Sequence, residues 1–421
     1  MNAVSQQISQ APLSIVQPAG ALKQGLLHRF GFRLLFAYVF LYLLSLFAEG
    51  LWEPLVTWTG QRVFHAEVAA EVTGSGDAAF NYVLGACCAA LALLAAAAWT
   101  PFDRKRKADA RLNEWMRVAV RFALALEMIQ YGMMKIIPIQ FSTPNLSNLT
   151  EPLGDHSPMG LLWVFMGTSP VYTVFAGSVE ALGGLLLLSR RTTLLGALVS
   201  IVAMGNVVAL NFCYDVPVKI FSTHLLLMAV LLAAPEAGRL ADVFLWNRPA
   251  PPAALRPHSV RRWVNWTLLG VKVVLFGGWT ALLGMSGVSS RQMFAGAGPK
   301  PPLYGVWNAD EPARAGLPET ARWRQAVFEF PGVVVIQLAD GTYHGYRVSV
   351  NRQRGTINLT TPKEKFGTSR LSYTGIRPGQ ILLQGVFDGH PLRATLTQIP
   401  VRKSPLLSRG FHWISPVPFN R

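Results

Sequence analysis

The apolar runs of this 421-residue chain contain few ionisable side chains, and several of those present share a helical spacing. Glu127, Tyr131 and Lys135 recur every fourth residue in Glu127-Met-Ile-Gln-Tyr131-Gly132-Met-Met-Lys135, which puts all three on one helix face. Glu180 sits among small residues in Ala176-Gly177-Ser-Val-Glu180-Ala181-Leu-Gly-Gly184, where a neighbouring helix can approach closely. Asn206 and Asn211 lead into Tyr214-Asp215-Val-Pro217-Val-Lys219, with His224 shortly after. A charge near the centre of a bilayer costs at least about 2.5–3.5 kcal/mol, so such groups must face one another or a cavity. In a cavity, a buried carboxylate can carry protons, and a lysine held neutral away from water can act as a base. Lys135, Glu127 and Glu180 are therefore the candidate catalytic residues. Tyr131, Asn206, Asn211, Asp215, Lys219 and His224 are the candidate cofactor-binding residues. The competing reading is a self-neutralising ion-pair network that only holds helices together, and the four-residue spacing of Asp215 and Lys219 suits such a pair. Arg121 lies off the stripe and is expected to snorkel to an interface.

These residues must be positioned by membrane-spanning helices. The chain is 51% hydrophobic and only 14% charged, with mean hydropathy +0.32, too apolar for an ordinary soluble domain. Spans need about 20 residues to cross a bilayer as helices. Seven such stretches can be marked, at 30–49, 79–99, 115–137, 171–189, 192–212, 217–234 and 263–286. The segment Gly160–Gly167 is too short to cross and suits a re-entrant or interfacial piece, and the whole of Gln140–Ser169 is a candidate lid.

Orientation follows from the short loops. Arg104, Lys105, Arg106, Lys107 and Arg111, then Arg190 and Arg191, then Arg239, Arg248, Arg256, Arg261 and Arg262 mark cytoplasmic loops. The 138–170 segment has no Lys or Arg and is expected outside. No cleavable signal peptide is expected in the polar start of the chain. The implied protein is a multi-pass one of the bacterial cytoplasmic (inner) membrane, with a cytoplasmic N-terminus and the cavity in its outer half. Its lipid surroundings are its first partner.

Composition changes at Ser286–Pro302, a Gly-, Ser- and Pro-rich stretch that reads as a linker. Beyond it, Arg324–Phe330, Val333–Leu338, Tyr343–Val350, Thr356–Thr361, Gln380–Phe387 and Leu392–Ile399 are short β-branched or aromatic runs separated by turns such as Asp340-Gly341 and Asp388-Gly389. The expected fold is a mainly α transmembrane helical bundle of about seven spans, followed by a C-terminal all-β extracytoplasmic domain, a small barrel or sandwich. The expected parts are a polar tail 1–29, a bundle 30–286, a linker 287–302 and a β domain 303–421.

From Arg291 onward, 17 Lys+Arg face 7 Asp+Glu, so this part carries +10 of the chain's +16. Such charge suits anionic headgroups or a solvated face, and nucleic acid is not an expected partner for want of a recognisable motif. No spacing fits a zinc site, a phosphate-binding loop or a dinucleotide fingerprint, so neither metal nor nucleotide is expected. Cys87, Cys88 and Cys213 form no CxxC and read as small apolar residues.

The Tyr131-Gly132-x-x-Lys135 end of the third span resembles the DoxX-like family of bacterial membrane proteins. So do Glu180 with Gly183-Gly184-Leu-Leu-Leu-Leu before Arg190-Arg191, and Asn211-x-x-Tyr214-Asp215-Val-Pro217-Val-Lys219. The resemblance covers about 110–248, a third of the chain. It implies a quinone or quinol handled within the bundle and an extracytoplasmic protein or redox partner. The chain departs from dithiol-using relatives in having no paired CxxC. It is also similar to the HTTM group, which includes vitamin K-dependent carboxylases; there Lys135 resembles the membrane-embedded lysine base. That likeness implies an enzyme modifying an extracytoplasmic protein or lipid. A non-enzymatic assembly or trafficking factor is the third alternative. The closing Arg409-Gly-Phe-His412-Trp413-Ile reads as a terminal motif or as aromatic packing under the barrel.

Overall fold

The structure, a computed structural model, describes residues 26–68, 74–102, 106–252, 262–294, 300–310, 322–360, 369–400, 404–410 and 412–417. Arg104, Lys105, Arg256, Arg261 and most of the 1–29 tail lie outside the described residues. The chain divides into two compact units, 1–120 and 121–421, described in turn.

The first unit holds α1 (Leu26–Phe47), α2 (Glu49–Val63), α3 (Ala79–Phe102) and the start of α4 (Arg106–Ile136). The alanine-rich α3 lets α1 pack closely along it, and α2 completes a small core in which Trp52, Val56, Phe80, Val83, Cys87 and Cys88 are buried. Cys87 and Cys88 are thus packing residues, with Cys87 Sγ 3.5 Å from Thr59 Oγ1. Arg33 is fully buried on α1: its Nη2 donates to Asp109 Oδ1 at 3.1 Å and its Nη1 to the Trp99 carbonyl at 3.1 Å, while its guanidinium stacks over the Trp99 ring. α2 occupies a stretch expected as loop; its Glu49, Glu53, Gln61 and Arg62 dilute the apolar signal that marks the neighbouring helices.

The second unit continues α4 and adds α5 (Leu146–Thr150), α6 (Pro158–Thr168), α7 (Pro170–Leu187), α8 (Thr193–Cys213), α9 (Lys219–Ala233) and α10 (Ala237–Phe244). After these come α11 (Arg262–Lys272), a π-helical turn Val273–Gly277 and α12 (Gly278–Phe294). Ser157 and Ser169, each followed by a proline, start α6 and α7: their hydroxyls accept the Gly160 and Tyr172 N–H, and proline at the first turn has no N–H to leave unsatisfied.

Among the described residues six helical segments are long and apolar enough to cross a membrane, and they place the chain among membrane proteins. They are α1, α3, α7, α8, Lys219–Phe244 and Trp266–Ser290. Their outward side chains are apolar, for example Phe40, Phe175 and Val202, as a lipid-facing surface requires. The expected third span lies in α4, which has the length but is diluted by Glu114, Arg117, Arg121, Glu127 and Lys135 and so is not one of the six. α12 runs on to Phe294, into the stretch read as linker.

The C-terminal part is a closed antiparallel barrel of eight strands in sequential order. They are β1 (Gly305–Ala309), β2 (Trp323–Phe328), β3 (Val333–Leu338), β4 (Tyr343–Asn351), β5 (Thr356–Thr360), β6 (Ser369–Arg377), β7 (Gln380–Phe387) and β8 (His390–Ile399). β1 pairs with β8, Val306 opposite Ile399, and closes the ring. Eight strands leave an interior just wide enough for side chains to fill. Trp323, Phe387 and Tyr346 fill it, with Trp323 edge-on to Phe387 at 5.2 Å. A final short helix α13 (Pro405–Ser408) follows. Trp413 and Ile414 are 91% and 82% exposed, so these two residues of the closing motif are not buried under the barrel as one reading expected, and Phe411 lies outside the described residues.

A strap formed by α5 lies on the outer face of β1–β3. Leu146 packs against Val306 and Val327, and its N–H donates to Glu329 Oε2 at 2.9 Å. Burial pushes the Glu329 carboxyl above its usual range, partly opposed by that hydrogen bond. A carboxyl raised in the folded state contributes stability that is fully present below its ordinary value and lost as pH rises through the raised one. Glu329→Gln keeps an acceptor for Leu146 but cannot ionise. Thermal unfolding of the whole protein in detergent, from about pH 4 to about pH 8, is expected to show the wild-type midpoint falling relative to the variant as pH rises. Parallel profiles would contradict the assignment.

Candidate functional site

The site begins with glycines. A methyl group at Gly132 would lie 2.6 Å from the Gly177 carbonyl oxygen, and one at Gly177 would lie 2.6 Å from the Gly132 oxygen. The backbones of α4 and α7 therefore touch. Gly184 repeats the contact against the Ala125 carbonyl at 2.8 Å, two helical turns further along α7. The small residues read from the sequence as permitting close approach are used in that way.

This contact brings the two charges together. Lys135 Nζ donates to Glu180 Oε2 at 2.7 Å, with only 5% and 4% of the residues exposed. Lys135 Nζ also lies 5.8 Å from the centre of the Tyr131 ring, inside the range of a cation–π contact. Taking two charges out of water costs several kcal/mol per ion, which the mutual attraction offsets only with good geometry. Removing one partner leaves the other buried and uncompensated.

Beside the pair is a cavity of about 160 Å³. Tyr131, Lys135, Glu180, Asn206 and Asn211 line it, together with Gln140, Phe141, Trp163, Tyr172 and Ser222. The walls are held by their own bonds. Asn211 Nδ2 donates to Ser222 Oγ at 3.0 Å, joining α8 to α9, and Thr173 Oγ1 donates to the Met166 carbonyl at 2.7 Å, joining α7 to α6. Phe141 and Trp163 meet edge to face at 5.0 Å. The Gln140 Oε1 is buried and has no hydrogen-bond partner among the described residues. The cavity thus offers the Lys135 amine and the Asn206 amide as donors, the Gln140 oxygen as an unpaired acceptor, the Tyr131 and Tyr172 side chains, and otherwise mainly aromatic and aliphatic walls.

Five of the nine residues expected at the site line this cavity, and four do not. Glu127 shares the helix with Tyr131 and Lys135 but is not among the lining residues. Asp215 and Lys219 bond each other at 2.7 Å on the surface, the Asp215 side chain being 84% exposed, as their spacing allowed. His224 turns its Nδ1 to the Ile220 carbonyl of its own helix at 2.8 Å. Arg121 is buried, 4% exposed, with its Nη1 donating to Thr193 Oγ1 at 3.5 Å at the start of α8 and its guanidinium over the Phe122 ring.

The segment read as a lid forms one wall through Gln140, Phe141, Leu162, Trp163, Phe165 and Met166. Sequence reading missed Ser222, which no spacing distinguishes from a helix-surface serine.

Gly177→Leu is expected to push α7 off α4. Overpacking of this kind costs about 1–3 kcal/mol, read as a lower thermal midpoint, while a leucine at half-buried Gly205, with nothing near its would-be side chain, should be tolerated. Equal midpoints for the two variants would contradict the close contact.

No family model matches this chain, and no solved structure matches it. The uncharacterised protein YwoB of Bacillus subtilis (strain 168) is 32% identical over 140 residues, a stretch that spans 32% of this chain and 88% of YwoB. The chain therefore belongs to the family of which YwoB is a member.

Proposed function

We propose that this protein is a DoxX-like protein of the bacterial inner membrane whose cavity receives the ring of a quinone or a similar lipid-soluble redox substrate. The observation that carries the reading is the buried Lys135–Glu180 pair set into an otherwise aromatic and aliphatic wall. A cavity of about 150 Å³ takes a single benzene-sized ring, so one of 160 Å³ admits a head group and leaves a long apolar tail in lipid. A ring carbonyl would accept from Lys135 or Asn206, and a ring hydroxyl would donate to the unpaired Gln140 oxygen. The lysine-base alternative is weaker, because the Lys135 amine is already engaged by the Glu180 carboxyl at 2.7 Å and would have to leave it to reach a substrate.

The test is the lipid extracted from the purified protein. Isoprenoid quinone is expected to co-purify with the wild type and to be lost from Lys135→Ala and Glu180→Gln. Lys135→Met combined with Glu180→Leu removes both charges, so it should fold and still lack quinone. Unchanged lipid content in every variant would overturn the reading.

The same reading places α4 across the membrane as a seventh span, the N-terminus in the cytoplasm and the barrel outside, on the basis of the basic loops. Reporter fusions after Arg111 and after Lys300 should then report opposite sides. Fusions that both report the cytoplasm would remove the outer cavity.

A further inference from the structure

The barrel carries a second candidate site on its outer face, unrelated to the membrane cavity. In β1–β3 the core-facing residues are Trp307 and Ala309, Trp323, Ala326 and Phe328, and Val334, Ile336 and Leu338. Their alternates point the other way and pair into two rows across the three strands. Val306 lies opposite Val327, which lies opposite Val335; Asn308 lies opposite Gln325, which lies opposite Gln337. The valine row is covered by Leu146 of the strap. The amide row is not covered in the same way. Beside it lies a cleft of about 490 Å³, rimmed by Thr150 and Pro152 and floored by Asn308, Gln325 and Gln337. That volume falls within the range of small-molecule sites, about 300–1,000 Å³.

Outward-facing glutamines on a barrel are ordinarily solvated, yet Gln325 is 9% and Gln337 6% exposed. Gln325 Nε2 donates to Asn308 Oδ1 at 2.9 Å, while its Oε1 is buried with no hydrogen-bond partner among the described residues. A buried, unpaired amide oxygen costs about 1–3 kcal/mol unless something donates to it. Beside this row the ladder is interrupted: the pairing of β2 with β3 shifts between Trp323 and Gln325, a bulge that leaves Arg324 as the extra residue and places it in the cleft lining. Bulges serve to re-aim a side chain in this way. Arg324 is the one charged residue among those lining the cleft; the Glu151 and Asp155 carboxylates lie outside the lining, near the Tyr343 hydroxyl that Arg324 also neighbours.

We infer that this cleft binds a small anion that also carries hydroxyl groups, of the size of a monosaccharide acid or glycerol phosphate. Arg324 takes the carboxylate or phosphate through its fork of N–H donors, and a ligand hydroxyl donates to Gln325 Oε1 while the neighbouring amides take the rest. Neither half suffices alone, because a bare anion leaves the amide oxygen unpaired and a neutral polyol leaves the guanidinium unmatched.

Calorimetry on the full-length protein in detergent, at constant ionic strength, separates these cases with glucuronate, glycerol phosphate, glucose and acetate as probes. At least one of the two hydroxylated anions is expected to bind saturably, at least about tenfold more tightly than glucose or acetate, as a charge-assisted hydrogen bond allows. Arg324→Gln should weaken that binding about tenfold with an unchanged thermal midpoint, since Arg324 is exposed on the bulge. Gln325→Leu should weaken it while leaving acetate unaffected. Lys135→Ala should leave it unchanged, which separates this cleft from the membrane cavity. Binding of neither hydroxylated anion, acetate binding as tight as glucuronate, or indifference to Arg324→Gln would each overturn the inference and leave a cleft that holds only water.

Discussion

Direct backbone contact between α4 and α7 is the constraint on which the membrane site rests. Two glycines facing each other, Gly132 and Gly177, remove every atom that would hold the helices apart. Only then can a lysine and a glutamate on opposing helices meet at 2.7 Å without bending their chains. The pair in turn fixes the rotation of both helices, because either charge turned toward lipid would carry a large desolvation cost. Close packing and ion pairing therefore specify the same geometry.

A consequence is that the polar end of the cavity is rigid and its far wall is not built the same way. Lys135 and Glu180 sit on long helices in tight contact, whereas Phe141 and Trp163 belong to short helices and turns between Ile136 and Pro170. These short elements are held by a buried apolar cluster of Phe141, Leu162, Met166 and Val216, and by the Thr173 bond to the Met166 carbonyl.

Much of this was legible in the sequence, for identifiable reasons. Long apolar runs announce themselves, so the helices from α7 to α9 fall where hydropathy puts them. The face shared by Tyr131 and Lys135 follows from a four-residue period, and the close approach of α7 follows from the small residues around Glu180, whereas the Lys135–Glu180 pairing itself was not read from the sequence. Short-range pairing misled in one place: Asp215 and Lys219 satisfy each other at the surface, so they contribute nothing to the cavity. Long-range pairing was not legible at all. Arg33 finds Asp109 across 76 residues, and no local pattern connects them. Among the strands, β1 (Gly-Val-Trp-Asn-Ala) and β6 (Ser-Arg-Leu-Ser-Tyr-Thr-Gly-Ile-Arg) interrupt their apolar residues with small and polar ones, so both fall below the β-branched signal that marks the other six. The amide row is invisible for a related reason, since it exists only once three strands are in register.

The pairing of β1 with β8 has a meaning for recognition that goes beyond stability. A sheet with open edges can accept a strand from another chain, and many periplasmic and signalling domains bind extended peptides in that way. Among the described residues every strand of the barrel already has two neighbours, so no strand there presents an open sheet edge. Whatever this barrel engages, it must do so through side chains and the turns at its two mouths. Selectivity is then written in residue identity and not in backbone shape, and a single substitution on the outer face can alter it while the scaffold stays the same.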